Sequence, residues 1–295
     1  MPFALITSSK PELKEKQMSA IKSLLVQSSL STRNHILNSL PEEDFARLLP
    51  DLKPVEMPLG KTIFHPEEEI NYVYFLNTAM VSVVSRTADG QSVEAGVIGW
   101  EGIAGFNVLM GSDTMPNENI VSLPGDGHRL PTAAAKREFK RGGAFQDLCV
   151  RYMHAVIIQL GQVTLCNRLH AAEERLARWL IMCHDRAATD KLQLTQEFLS
   201  IMLGTNRVTV TNSAIVLQNI GNIKYKRGLI TVLDREGLED SACDCYRTIK
   251  QEYERFHKYA AKELSPTQNS DAAKSLKSGR VVVNDFPSVF KSAKN

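Results

Sequence analysis

The sequence predicts an α+β protein in which an all-β unit is followed by a long helix and then by a winged helix-turn-helix. Three observations carry this reading. Apolar residues recur with period two from about Val55 to Leu130, with Gly, Pro and Asp at the breaks. The period turns helical from about Ala144, and residues 194–211 read as helix, glycine turn, helix, followed by a basic turn between two short strands. The chain has 295 residues, 43% hydrophobic and 23% charged, which is enough for two packed units. Its 35 Lys+Arg against 33 Asp+Glu leave a net charge of only +2, so a surface for nucleic acid has to come from local asymmetry. No apolar run approaches the roughly 18 residues of a membrane helix, and the N-terminus shows no charged leader before an apolar stretch. Five cysteines, an odd number, signal neither a disulfide scaffold nor a paired zinc ribbon. The expected location is the cytoplasm, with no membrane partner.

Taken in order, residues 1–30 are Ser-, Lys- and Gln-rich with a weak helical patch at Ile21, Leu24 and Leu25, and read as a loosely ordered arm. Residues 31–143 hold the β unit. Lys61–Phe64, Tyr72–Leu76, Met80–Ser85 and Ser92–Val97 are runs of strand length, rich in β-branched and aromatic residues. Between the last two, Asp89-Gly90 supplies the positive φ of a hairpin turn. Residues 144–169 form the long helix, on which Cys149, Met153, Val156, Leu160 and Val163 step by 4, 3, 4 and 3. That stripe suits either packing on the β unit or a two-chain seam. A second amphipathic helix over 171–187 presents Leu176, Leu180 and Ile181 on one face, with Glu173, Glu174, Arg175 and Arg178 elsewhere. Residues 170–240 make the helix-turn-helix unit, 241–263 a C-terminal helix. Residues 264–295, Ser-, Ala- and Lys-rich with five basic against two acidic side chains, read as a disordered tail.

Within the helix-turn-helix, Thr195 caps the first helix, Gly204 permits the reversal, and Thr205 caps the second. Phe198, Leu199 and Met202 with Val208, Ile215, Val216 and Leu217 are the expected small core. The outward face then carries Asn206, Arg207, Thr209, Thr211 and Asn212, which suit phosphates and base edges. Thr195 and Gln196 at the start of the first helix, and Thr205 before the second, join the candidate DNA-binding set. The basic turn adds Lys224, Lys226 and Arg227. From Lys191 to Ile230 five cations face one anion, Glu197, a local excess that the whole-chain balance conceals.

The order of these parts resembles the Crp/Fnr superfamily of bacterial transcription regulators over about Ser31 to Glu239. The points of resemblance are Glu174-Arg175-Leu176-Ala177-Arg178-Trp179-Leu180, Leu194-Thr195-Gln196-Glu197, Gly204-Thr205-Asn206-Arg207 and Leu229-Ile230. The resemblance implies a cyclic-nucleotide-binding-type jelly roll and a homodimer through the 149–163 stripe. It also implies a winged helix-turn-helix on a palindromic operator, with Arg207 at a base-reading position. RNA polymerase is a further candidate partner. In cyclic-nucleotide-binding relatives a Gly-Glu pair is followed about ten residues later by Arg-Ser or Arg-Ala. Here Gly105-Phe106 and Asn117-Glu118 stand at those places, so these four are the effector-pocket candidates. Cyclic AMP and cyclic GMP are not expected to bind in the relatives' manner, unless Arg129 supplies the cation; the effector itself is unidentified. No N-terminal cysteine cluster of the iron–sulfur relatives is present. Val208 and Asn212 stand where well-known relatives have Glu and Arg.

Two other readings compete. A β-roll sensor or scaffold would use the basic wing to bind RNA or a protein. A cupin-like metalloenzyme would need His65, His128 and Glu67–Glu69 to converge, yet no His-x-His occurs. Cys243 and Cys245 read as exposed thiols, Cys149, Cys166 and Cys183 as packing residues, and His154, His170 and His184 as surface or interface histidines. No metal, cofactor or catalytic residue is expected, since no phosphate loop, nucleophile elbow or carboxylate pair is found.

Overall fold

The computed structural model describes residues 32–187 and 189–263. The N-terminal arm expected over 1–30 and the tail expected over 264–295 lie outside the described residues. Two short helices come first, α1 (His35–Asn38) and α2 (Glu42–Leu48). Asn34 caps α1 by accepting from the Leu37 amide, and its own side-chain amide donates to the carbonyls of Leu76 and Gly102. This start of the described chain is thereby stitched to the β unit.

Eight strands follow: β1 (Lys53–Met57), β2 (Thr62–Phe64), β3 (Tyr72–Leu76), β4 (Met80–Arg86), β5 (Ser92–Ile98), β6 (Ile103–Ala104), β7 (Glu118–Leu123) and β8 (Gly125–Pro131). They pair antiparallel in two four-stranded sheets, β1-β8-β3-β6 and β2-β7-β4-β5. That order is the winding of a jelly roll, as the fold class required. Val73, Phe75, Met80, Val81, Val97 and Val121 are fully buried in its core. Sequence periodicity does not reveal β8, whose residues are Gly-Asp-Gly-His-Arg-Leu-Pro. It is a strand because β1 and β3 satisfy its backbone on both sides, a tertiary effect that overrides propensity.

Helix α3 (Thr132–Arg141) ends at Gly142 and Gly143, both at φ +83°, and helix α4 (Ala144–Leu169) begins beyond them. The remaining elements are α5 (Ala172–His184), β9 (Lys191–Gln193), α6 (Gln196–Met202), α7 (Arg207–Asn219), β10 (Ile223–Lys226), β11 (Leu229–Val232), α8 (Arg235–Asp240) and α9 (Asp244–Glu263). Strands β10, β11 and β9 form a small antiparallel sheet.

Helix α4 corrects the expected dimer seam. Cys149, Met153, Val156 and Val163 are buried inside the chain's own core and Leu160 is half-buried against it. The stripe is used within one chain, where β5 lies on one flank and α9 on the other; Tyr152, for example, packs on Tyr253 and Phe256. The apolar residues left outside are Val150, Ile157, Leu165 and Leu169, at 50%, 58%, 42% and 68% exposure. At about 100° per residue Val150 and Ile157 flank the first stripe while Leu165 and Leu169 turn to the face opposite it, and a 4-3 repeat does not say which apolar face packs inward. The helix is also long and apolar enough, by length and composition, to cross a membrane. Ten of its residues are instead buried within the chain.

Helix α5 is enclosed on nearly all sides. Arg178, expected on its polar face, is 2% exposed, and Trp179 is fully buried. Two contacts tie α5 to the jelly roll. The Trp179 indole Nε1 donates to Glu94 Oε2 at 2.9 Å, and Ser82 Oγ donates to the same oxygen at 2.5 Å. Arg186, just past α5, donates from Nε and Nη2 to Glu101 Oε1 at 3.0 and 2.7 Å, both residues being buried.

Candidate nucleic-acid interface and sensor cavity

Thr195 caps α6, its hydroxyl accepting from the Phe198 amide at 3.1 Å. The turn follows at Gly204, φ +56°, where a Cβ would fall 2.8 Å from the Val93 side chain of β5. Glycine is required there both for the left-handed backbone and for the close approach. The cap of α7 is Asn206 rather than Thr205: Asn206 Oδ1 accepts from the Thr209 amide at 2.9 Å and from the Thr209 hydroxyl at 3.1 Å. The core beneath also differs from expectation. Val210, Ser213, Ala214 and Leu217 face inward at helical spacing, against Leu199, Met202 and Leu203. Val208, Ile215 and Val216 are 69%, 46% and 45% exposed, because the inward stripe of α7 starts two residues later than Val208. Periodicity anchored on Leu217 would have found it.

The outward face of α7 thus carries Arg207, Val208, Asn212 and Ile215, a mixed polar and apolar surface. Thr209 and Thr211 stand beside it with their hydroxyls engaged locally, Thr211 donating to the Arg207 carbonyl at 2.8 Å. Arg207, two-thirds exposed, is ion-paired with Glu197 of α6. Hairpin β10–β11 turns through Arg227 and Gly228 at φ +51° and +78°, the two successive positive values of a primed hairpin turn. Lys224, Lys226 and Arg227 are all exposed on it. Tyr225, which the sequence reading passed over, holds the hairpin in place. Its amide donates to Gln218 Oε1 at 2.7 Å and its hydroxyl to the Leu194 carbonyl at 3.0 Å. Thr195, Gln196, Arg207, Tyr225 and Arg227 consequently border one surface concavity of about 470 Å³. The starts of both helices and the tip of the wing converge on it.

A second cavity, of about 330 Å³, lies between the jelly roll and α4. Gly105, Phe106 and Asn117 line it, but Glu118 does not. Side chains alternate along a strand, so Glu118 points the other way, where it accepts from Arg86 at 2.7 Å and Thr62 at 2.9 Å. That pairing holds its carboxyl below the ordinary range against the opposing effect of burial. Arg129 is also elsewhere, stacked over the Tyr72 ring at 4.6 Å. None of the lining residues is charged. Three of them, Asn107, Asn119 and Gln159, present side-chain carbonyl oxygens that are buried without a hydrogen-bond partner. The Asn107 amide nitrogen is engaged with the Ser112 and Thr114 carbonyls, and that of Gln159 with the Val97 carbonyl. For Asn107 and Gln159 these bonds leave the carbonyl oxygen unpaired and buried in the wall of the cavity.

Residues 174–241 match the family model of the Crp-like helix-turn-helix domain. No curated protein matches the chain by sequence. Among solved structures, FixK2 from Bradyrhizobium japonicum is similar with a TM-score of 0.56 at 15% identity, over 65% of this chain and 98% of that one. A CRP-family transcriptional regulator from Thermus thermophilus is similar with a TM-score of 0.51 at 17% identity, over 64% and 96%. A CooA mutant from Carboxydothermus hydrogenoformans gives 0.51 at 17% identity, over 72% and 96%. Jelly roll, long helix and winged helix-turn-helix in this order define a protein with the fold of the Crp/Fnr regulators. Its residues 174–241 are a Crp-like helix-turn-helix domain, the DNA-binding part of that architecture.

Proposed function

We propose that this chain is a sequence-specific transcription regulator that binds a palindromic operator as a homodimer. The observation that carries the reading is the convergence of Arg207, the start of α6 and the cationic tip of the wing around one concavity. A recognition helix in the major groove needs phosphate contacts on its flanks to set its register, and this surface supplies both. Arg207, Val208, Asn212 and Ile215 face base edges, with the two apolar side chains suited to thymine methyls. Thr195, Gln196, Thr205, Asn206, Thr209, Thr211, Lys224, Lys226 and Arg227 border the backbone. The dimer forms through Val150, Ile157, Leu165 and Leu169, with the exposed Gly161 between them allowing two helices to approach closely. Selection of bound duplexes from a random pool tests this. A two-fold site with half-sites about 34 Å apart is the expected product. Preference for single-stranded RNA would establish the RNA-binding reading instead.

The effector belongs to a different chemical class from cyclic nucleotides. A cyclic phosphate needs a cation or several N–H donors, and this cavity offers neutral walls and carbonyl acceptors. An uncharged or cationic small molecule bearing N–H or O–H donors fits it. Calorimetric titration with cyclic AMP and cyclic GMP should give no binding heat at millimolar concentration. Micromolar binding of either would overturn this assignment.

A further inference from the structure

Cys166 lies in the last turn of helix α4 and His170 just past its end, while Cys243 immediately precedes helix α9 and Cys245 lies in its first turn. The fold brings all four together. Cys166 Sγ lies 3.4 Å from Cys243 Sγ, and Cys245 Sγ lies 3.5 Å from His170 Nδ1. One ligand atom from each residue falls within 4.8 Å of every other. The three cysteines are at most 7% exposed and form a cluster separate from the main hydrophobic core. Sequence alone shows two short fragments of this set, Cys-x3-His on one helical turn and Cys-x-Cys, 72 residues apart.

We infer that Cys166, His170, Cys243 and Cys245 bind a single zinc ion in a Cys3His site. A tetrahedral zinc with Zn–S near 2.3 Å and Zn–N near 2.0 Å separates its ligand atoms by about 3.5 to 3.8 Å. The Cys166–Cys243 and Cys245–His170 spacings match that scale, the remaining pairs lie within 4.8 Å, and all four ligands are protein-derived, as in a closed structural site. A polynuclear iron–sulfur cluster would hold its cysteine sulfurs farther apart around the iron core. A Cys166–Cys243 disulfide would leave Cys245 and His170 without a role.

Charge supplies an independent argument. Arg178 is buried, its Nη1 donates to the Met182 sulfur at 3.4 Å, its Nε has no hydrogen-bond partner, and the Glu94 carboxyl and the Cys166 thiol lie near it. A buried guanidinium requires a compensating anion. Three thiolates and Zn(II) carry a net charge of −1, directly beside it. The guanidinium in turn stabilises that negative charge. Binding releases one proton for each thiol still protonated. Because Ala171 and α5 follow His170 directly, the ion pins α9 to the hinge between α4 and the DNA-binding unit. This assignment is independent of what the helix-turn-helix binds.

The test is metal analysis of the full chain, purified with reductant and dialysed. About one zinc per chain is expected, along with a cobalt-substituted form whose spectrum shows tetrahedral coordination and thiolate charge transfer. Cys243→Ser combined with Cys245→Ser should reduce the metal content to zero, while Cys183→Ala, at a thiol outside the cluster, should retain one equivalent. Since the double variant could misfold, the wild-type protein carries the decision. Folded wild-type chain that retains no zinc after addition, or leaves cobalt octahedral, would overturn the site. A Cys166–Cys243 disulfide in protein from reducing cells would do the same and would identify a redox pair instead.

Discussion

Arg207, at the first position of helix α7, is ion-paired with Glu197 on the helix before it. Both side chains are more than half exposed, so the pair contributes only about 0 to 1 kcal/mol to the free protein. A guanine edge that takes two N–H groups of Arg207 must draw it from Glu197. Removing the carboxylate should ease that exchange and lessen repulsion from phosphates. Glu197→Gln is expected to tighten operator binding by up to about fivefold, whereas Arg207→Ala should erase about 1 to 3 kcal/mol of base discrimination. Fluorescence anisotropy with operator and mismatched duplexes measures both. If Glu197→Gln weakens binding as Arg207→Ala does, Glu197 orients the arginine rather than competing for it.

The wing is expected to act without regard to sequence. Lys224, Lys226 and Arg227 sit on a hairpin that Tyr225 fixes against α7. Neutralising each should reduce the slope of log affinity against log salt by about 0.9 while leaving the ranking of operators unchanged. A change in ranking would assign the wing a base contact.

Ile157 and Val163 separate the two stripes of α4. Ile157→Asp places a charge on an exposed position and should leave the melting temperature unchanged while light scattering reports monomers. Loss of the paired half-site should then cost about a hundredfold or more in DNA affinity. Val163→Asp, at a position 2% exposed, should lower the melting temperature instead. A dimeric Ile157→Asp protein would rule out the outer stripe as the interface.

Glu94 links the jelly roll to α5 and makes the fold sensitive to pH. Burial raises its carboxyl from the ordinary 4.5 to about 7, against the lowering effect of hydrogen bonds from Ser82 and Trp179. The folded state therefore holds more protons than the unfolded one between these values. The contribution of Glu94 to stability is full below about pH 4.5 and declines as pH rises to about 7. Denaturant unfolding of Glu94→Gln, whose amide mimics the neutral acid, should lack this part of the slope. An unchanged slope in that variant would show that Glu94 is ionised throughout.

Much of the architecture is legible in the sequence because it depends on local pattern. Four β-rich runs, the helical period from Ala144 and the caps around Thr195 and Gly204 each record a short-range preference of the backbone. The local excess of cations on Lys224, Lys226 and Arg227 is equally local. Tertiary structure alone decides the rest, because facing and convergence are not local properties. Two faces of α4 are apolar, and only packing against β5 and α9 places Val163 inside and Ile157 outside. A shift of one residue at the start of β7 reverses the face, which is why Asn117, just before the strand, and Asn119 meet the cavity while Glu118 meets Arg86. Cys166 and Cys243 lie 77 residues apart, and no periodicity brings them together. The antiparallel return of α9 along α4 does so, because each helix buries its apolar side against the other.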